Sequence, residues 1–132
     1  MKKHIEVVAA ILTFQGRCLA VQRGPAKFDY ISHKWEFPGG KVEKEESLEN
    51  AIVRELQEEL DIRVTDPQLF MTIDHSYPDF DITMHCFISE IESPEIVLTE
   101  HIAKRWLEKE KLLDVDWADA DTPLVRRLLS ME

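Results

Sequence analysis

The sequence predicts an α/β (α+β) fold in which a mixed β-sheet is sandwiched between helices, an α/β/α arrangement. Segments rich in Val, Ile and Leu, typical of strands, stand before and after one internal segment with helical periodicity. A second helical segment with its own start signal follows the last of these strands. Since strands on both sides of an internal helix can join one sheet, we expect a helix on each face.

The first two strands are predicted to form a hairpin. Residues His4 to Phe14 and Arg17 to Arg23 are rich in aliphatic side chains, and Gln15-Gly16 between them suits a turn. A polar loop over residues 24–34 follows. The PGG motif at residues 38–40 then predicts irregular backbone, because proline and glycine interrupt regular elements.

The second half of the chain is predicted to add strands and a last helix. Strands from Gln68 to His75 and from Asp81 to Ile91 flank the turn segment SYPDF. A further short strand is expected from about Ile102 to Leu107. Thr122 is predicted to cap the last helix, and Pro123 suits its first turn.

Length and composition predict a single globular domain, residues 1–132. The formal net charge of -10 argues against nucleic acid or an anionic membrane as partner, because those surfaces are bound mainly through excess Lys and Arg. No apolar run reaches the length of a membrane span. Cys18 and Cys86 have no ligand-like or framework spacing, so we expect buried thiols in a reducing, cytoplasmic compartment.

An acidic helix from Leu48 to Leu60 carries the main functional signal. Read at about 100° per residue, it presents one apolar arc, made of Leu48, Ala51, Ile52, Leu56 and Leu60. Glu55 and Glu59 fall inside this arc, and Glu58 lies at its edge. Burying like charges one turn apart is unfavourable unless something of opposite charge pairs with them.

Three convergent carboxylates without a matching Lys or Arg cluster suit a hard divalent cation, Mg²⁺ or Mn²⁺. Zinc fits poorly, because no His or Cys stands beside them in the sequence. The five histidines show no metal-ligand spacing and are expected to be ordinary polar residues.

The same helix lies within a longer motif. The chain resembles the Nudix box over residues 40–62, with the pattern Gly40, five residues, Glu46, seven residues, Arg54-Glu55-Leu56, one residue, Glu58-Glu59, one residue, Asp61-Ile62. The segments VQR, WEFPGGKV and WADADTP resemble the MutT-like branch in the expected order. The resemblance implies the Nudix fold and hydrolysis of a nucleoside diphosphate linked to another group.

One position departs from the box, which usually has Gly where this chain has Asp61. The residue at that position ends the helix, often in a left-handed conformation, and Asp tolerates such geometry better than most residues. No carboxylate of the box is missing, so we expect the departure to affect the helix end rather than the chemistry.

The resemblance also implies roles for the box residues. Glu55, Glu58 and Glu59 would be metal ligands, with the backbone carbonyl of Gly40 as a further one. Mg²⁺ would be the cofactor, with Mn²⁺ able to substitute. Such a cation would neutralise the phosphate chain and activate the attacking water.

Three more residues would support this chemistry. Arg54 would hold the box glutamates in place by ion pairing, the alternative being an ordinary surface arginine. Glu46 would pair within the box or act through water. Glu100 resembles the distal acid that related enzymes bring to the metals or to the water, and the alternative is a polar residue before a strand.

Four residues are candidates for substrate binding. Arg23 and Lys41 would contact phosphates, and Phe37 matches a position that lines the nucleobase pocket. Asp121 would contact the base edge, where an ionised carboxylate suits the amino group of cytosine. The alternative is that the charge of Asp121 only favours the nearby helix N-terminus.

The resemblance favours a nucleotide-pool enzyme that converts a nucleoside triphosphate to the monophosphate and pyrophosphate. The flanking segments look more like the CTP pyrophosphohydrolase subgroup than the 8-oxo-dGTP one. Another Nudix substrate, such as a dinucleoside polyphosphate, ADP-ribose or a sugar nucleotide, stays open, as does a non-catalytic nucleotide-sensing domain. The expected partner is a small nucleotide, and the protein is expected to be a monomer or a homodimer.

Overall fold

The computed structural model describes residues 2–131, which form one sheet, two α-helices and two short 3-10 helices. The strands are β1 (Lys3–Phe14), β2 (Arg17–Gln22), β3 (Trp35–Glu36), β4 (Gly39–Lys41), β5 (Gln68–Ser76), β6 (Phe80–Glu90) and β7 (Ala103–Glu108). The α-helices are α1 (Leu48–Leu60) and α2 (Thr122–Ser130), and the 3-10 helices span Lys109–Asp114 and Asp119–Asp121. In this part of the chain no helix is both long and apolar enough to cross a membrane.

The sheet is mixed, as predicted. Its strand order is β3-β2-β1-β6-β5, with β4 also paired to β1 and β7 also paired to β2. β1 pairs with β6 in parallel, whereas the β1–β2, β1–β4, β2–β7 and β5–β6 pairs are antiparallel. The long strand β1 therefore lies at the centre and contacts β4, which leads into α1.

Each face of the sheet buries its own apolar core. Alternate residues of β1, Val8 and Leu12 among them, pack with the apolar arc of α1. The intervening residue Ile11 packs on the other face with Leu124 and Val125 of α2. This division follows from the two-residue period of a strand, and it confirms the prediction of a sheet between helices.

The prediction of irregular backbone over the PGG motif is wrong at its glycines. Gly39 and Gly40 lie in β4, in antiparallel register with Ala9 and Val8 of β1, and the carbonyl of Pro38 accepts a bond from the Ala10 amide. A side chain at Gly39 would collide with the backbone carbonyl of Val8. The glycine is therefore what allows this close pairing, since any Cβ would separate the strands.

Two smaller expectations also need correction, and one element was not predicted. Thr122 is the first residue of α2 rather than its cap, and its hydroxyl donates to the Ala118 carbonyl at 3.4 Å. Pro123 lies in the first turn, as predicted. Cys86 is buried but Cys18 is only half-buried, and both thiols are free. The 3-10 helix after β7 was not predicted, because six residues carry too little periodicity to identify it.

Asp61 takes the left-handed conformation that the box glycine would supply. Its φ is 54° and its ψ is 43°, and its amide donates to the Gln57 carbonyl at 3.1 Å. The Gln57 side chain in turn donates to the Asp61 carboxylate at 2.9 Å. The helix end is thus formed by an aspartate whose backbone strain is offset by a local hydrogen bond.

We expect Asp61→Gly to leave stability unchanged or raise it by up to about 1 kcal/mol, because glycine adopts this conformation without a Cβ penalty. Asp61→Ala should lower stability by roughly 0.5–1.5 kcal/mol, since it keeps the strain and loses the Gln57 bond. Urea unfolding of both variants measures the difference. Equal stability of the Ala and Gly variants would contradict the strain at this position.

Candidate active site

A cleft of about 1120 Å³ opens beside β1, α1 and the loop that follows β2. One part of its wall is acidic and is formed by Glu36, Glu55, Glu58, Glu59 and Glu100. Another part is aromatic and is formed by Phe28, Tyr77 and Phe80. The cleft therefore offers an acidic region and an apolar region to a single ligand.

Helix α1 supplies three carboxylates with different exposures. Ser47 caps the helix by accepting a bond from the Asn50 amide at 3.1 Å, and this fixes where its turns begin. The side chain of Glu59 is 7% exposed and that of Glu55 is 15% exposed, whereas that of Glu58 is 61% exposed. Glu55 and Glu59 thus lie on the covered side of the helix, as its periodicity predicts.

The glycine strand β4 lies directly against these carboxylates. The Gly39 amide donates to Glu59 Oε1 at 3.2 Å. A Cβ at Gly40 would collide with the carboxylate of Glu55 in its present position. β4 and α1 therefore bring the backbone of Gly40 next to the carboxylate of Glu55.

Arg54 joins the acidic residues into one network. Its Nε and Nη2 donate to the two oxygens of Glu46, each at 2.8 Å. Its Nη1 donates to Glu55 at 2.8 Å and to Glu58 at 3.4 Å, and Nη2 also donates to the Lys41 carbonyl at 3.0 Å. The Arg54 bonds lower the pKa of Glu46 to about 2. Arg54 thus ties α1 to the loop that precedes it.

The crowding of acids favours the protonated form of Glu59. Burial raises its pKa to about 9, and the charges of Glu36, Glu55 and Glu100 add to this. Burial also raises the pKa of Glu55, although the bond from Arg54 acts in the opposite direction. A cation among these carboxylates would favour their ionised forms and so oppose both shifts.

Residues 2–131 contain no preformed group of three His, Cys, Asp or Glu side chains placed to hold a metal ion. Glu55 and Glu58 instead accept bonds from Arg54, and Glu59 accepts a bond from Gly39. The donors nevertheless fit a hard cation, because they are carboxylate oxygens beside a glycine backbone. Glu58 contacts Arg54 through Oε2 alone, which leaves its Oε1 for a cation.

Two residues of this wall were missed from the sequence. His101 Nε2 lies 2.9 Å from Glu36 Oε2, and His101 Nδ1 lies 3.9 Å from Glu59 Oε2. Glu36 Oε1 also lies 3.8 Å from Arg23 Nη1. Both missed residues neighbour candidates in the chain, Glu36 before Phe37 and His101 after Glu100. Their position next to candidate residues in the sequence is the signal that could have identified Glu36 and His101.

The candidate phosphate and metal residues outside α1 also line the cleft. Arg23, Lys41 and Glu100 do so with exposed or half-exposed side chains. The charge of Glu100 reaches both Glu55 and Glu59, since it raises the pKa of each. Glu100 thus belongs to the acidic wall, while Arg23 and Lys41 line the cleft from other segments of the chain.

Phe37 and Asp121 meet in the apolar part of the cleft. The Phe37 ring stacks on Trp117 at a centroid distance of 4.6 Å, and its amide donates to Asp121 Oδ1 at 3.1 Å. Asp121 is 4% exposed, and burial raises the pKa of its carboxyl well above the usual range. Glu36 adds to that shift, while the Phe37 amide and Arg23 oppose it. The environment favours a neutral Asp121, in contrast to the ionised form expected from the sequence.

Comparison with known proteins gives concordant matches. A family model described as "NUDIX domain" matches residues 2–128. The CTP pyrophosphohydrolase of Escherichia coli K12 is 37% identical over 129 residues, 98% of this chain and 94% of that protein. The 8-oxo-dGTP diphosphatase of the same organism is 30% identical over 126 residues, 96% and 97% of the two chains. A crystal structure of a MutT protein from Methanosarcina mazei Go1 has a TM-score of 0.85 at 25% identity, covering 96% of this chain and 94% of that one.

Proposed function

The chain belongs to the Nudix family of hydrolases, and from that premise we propose that it is a Mg²⁺-dependent nucleoside triphosphate pyrophosphohydrolase. The reaction would convert NTP and water to NMP and pyrophosphate. One observation carries the proposal: the carboxylates of Glu55 and Glu59 lie against the glycine strand β4 in the acidic wall of a cleft. Oxygen donors crowded in this way suit a hard cation.

The proposed cation ligands are Glu55, Glu58, Glu59 and the carbonyl of Gly40. When bound, Mg²⁺ would neutralise the phosphate chain and lower the pKa of the attacking water. Mn²⁺ has the same preference for oxygen donors and would substitute. Within the chain, Arg54 keeps Glu46 and Glu55 in place, while Glu100 supplies a further carboxylate to the same region.

The residues around the cleft divide the work of substrate binding in this proposal. Arg23 and Lys41 provide positive charge for the phosphates, which an acidic wall alone would repel. Phe37 and Asp121 form the end that receives the base, next to the aromatic wall. The substrate would thus lie with its phosphates on α1 and its base near α2.

A cytidine nucleotide, CTP or dCTP, is the favoured substrate. The CTP pyrophosphohydrolase relative spans nearly the whole chain, and the buried Asp121 offers hydrogen bonds to a base edge. The second candidate is 8-oxo-dGTP, because a diphosphatase of that name is also similar over nearly the full length. The free thiols of Cys18 and Cys86 in this chain suit a cytoplasmic enzyme, in keeping with a role in sanitising the nucleotide pool.

A nucleotide panel with Mg²⁺ tests this function. We expect CTP or dCTP to give the monophosphate and pyrophosphate, with no turnover in EDTA, and ion chromatography separates pyrophosphate from orthophosphate. Preference for 8-oxo-dGTP would select the second candidate. Release of orthophosphate with a nucleoside diphosphate, or turnover of ADP-ribose or dinucleoside polyphosphates alone, would refute the proposal.

A further inference from the structure

The imidazole of His101 is buried in the acidic wall with one nitrogen unsatisfied. Its side chain is 3% exposed. Nε2 lies 2.9 Å from Glu36 Oε2, whereas Nδ1 has no hydrogen-bond partner. The carboxylate oxygen Oε2 of Glu59 lies 3.9 Å from Nδ1, too far for a hydrogen bond. A buried polar atom without a partner is uncommon in folded proteins and calls for a physical explanation.

The backbone around His101 is attached to the C-terminal turn of α1. The Thr99 amide donates to the Glu59 carbonyl at 3.2 Å. The Thr99 hydroxyl donates to the carbonyls of Glu58 and Glu59 at 3.0 and 3.1 Å. The Val97 amide bonds to the Leu60 carbonyl at 3.1 Å. These bonds fix the segment that carries His101 to the same turn that carries Glu59.

The two oxygens of Glu59 therefore face different neighbours. Oε1 accepts a bond from the Gly39 amide, and Oε2 faces His101 Nδ1 across a gap about 1 Å longer than a usual hydrogen bond. A shortening of this distance by about 1 Å would satisfy the buried nitrogen. Each oxygen would still keep a lone pair for a cation.

We propose that His101 is a positioning residue whose Nδ1–H donates to Oε2 of Glu59 and so orients that carboxylate for the cation. Nε2–H donates to Glu36, so that both ring nitrogens carry a proton in this arrangement. Glu36 holds the other side of the ring and so fixes the direction in which Nδ1 points. The proposal rests on the metal site of the proposed function. Ligating carboxylates are commonly held by such outer hydrogen bonds, whose loss weakens metal binding by about 10–100-fold.

Two amide variants separate the two nitrogens of the ring. An asparagine amide at position 101 can replace Nδ1, while a glutamine amide reaches the position of Nε2. We expect His101→Gln to keep the contact to Glu36 and to weaken Mn²⁺ binding by about 10–100-fold. His101→Asn should bind Mn²⁺ within about threefold of wild type. Both variants should lose similar amounts of thermal stability.

Calorimetric titration with Mn²⁺ alone, without nucleotide, gives the affinity, and thermal melting gives the stability. His85→Gln is the matched control, because His85 also pairs with a glutamate, Glu6 at 2.8 Å, but does not line the cleft. Its Mn²⁺ affinity should equal that of wild type. If neither His101 variant folds, Thr99→Val is measured instead, and a loss of at least about threefold is expected because the hydroxyl bonds to the carbonyls of Glu58 and Glu59 are lost, which loosens the segment that carries His101.

The outcomes are distinct. Wild-type affinity in His101→Gln, or equal losses in the Asn and Gln variants, would overturn the positioning role while leaving the metal site intact. Unchanged affinity in Thr99→Val would do the same where that variant is used. Failure of the wild-type protein to bind Mn²⁺ would overturn the proposed metal site, and this inference with it.

Discussion

Glu59→Gln is expected to reduce turnover with saturating Mg²⁺ by at least about a thousandfold, since a ligand that stabilises transition-state charge contributes several kcal/mol. The fold should persist, because glutamine has the same shape and can still accept the bond from Gly39. Steady-state kinetics on the preferred nucleotide measure the loss. Wild-type turnover in this variant would show that Glu59 is not a metal ligand.

The same substitution should change how stability depends on pH. Burial raises the pKa of Glu59 to about 9 in the metal-free protein, whereas an unfolded glutamate titrates near its ordinary value of about 4.3. Between these values the folded state binds the additional proton, so raising the pH removes stability. The contribution is complete below about pH 4 and is lost as the pH rises through about 9.

Metal-free wild type should therefore lose at least about 1 kcal/mol between pH 5 and pH 9 that Glu59→Gln retains. Urea unfolding at a series of pH values in EDTA measures both curves. Glu49→Gln is the matched control, since Glu49 lies on the exposed side of the same helix and should follow wild type. If the unfolding free energies of wild type and Glu59→Gln changed equally with pH, the raised pKa of Glu59 would be refuted.

The part of the site that could be predicted is the part carried by one helix. Spacing within α1 identifies Glu55 and Glu59 on its covered side, because the helical period is fixed by backbone geometry. The left-handed conformation of Asp61 at the end of α1 was predictable for a similar reason, since tolerance of that conformation is a property of the residue itself. Local rules of this kind need no knowledge of the remaining fold.

The missed parts depend on contacts between distant segments. Glycines in a PGG motif ordinarily indicate a loop, and only the pairing with β1 makes Gly39 and Gly40 a strand. Glu36 and His101 are 65 positions apart, so nothing local shows that they share a hydrogen bond. The raised pKa of Asp121 likewise follows from its burial, which the sequence of a polar segment does not reveal.

Asp121 is expected to select the base, and its buried environment determines which hydrogen bond it can offer. Oδ1 already accepts the Phe37 amide, which leaves Oδ2 for a ligand. Since burial favours the neutral carboxyl, Oδ2 can donate a hydrogen bond as well as accept one. A donor suits the ring nitrogen N3 of cytosine, whereas an ionised oxygen would suit only its amino group.

Asp121→Ala should lower kcat/KM for the preferred cytidine nucleotide by about 5–150-fold, the equivalent of roughly 1–3 kcal/mol, and affect poor substrates little. It should also lower stability, because the Phe37 amide loses its acceptor in a buried site. Asp121→Asn separates the two effects, since its amide oxygen can still accept from Phe37 while its amide nitrogen can donate to the base.

We therefore expect Asp121→Asn to keep the melting temperature within a few degrees of wild type and to retain cytidine turnover within about tenfold. Its relative activity on guanine-type nucleotides such as 8-oxo-dGTP should rise, because the amide nitrogen offers two donor hydrogens and no acceptor to their carbonyl oxygens, whereas the neutral carboxyl offers one donor. Asp119→Asn on the exposed side of the same 3-10 helix should change neither property. An equal loss on every nucleotide, or a fall in melting temperature with unchanged selectivity, would assign Asp121 to holding Phe37 in place rather than to choosing the base.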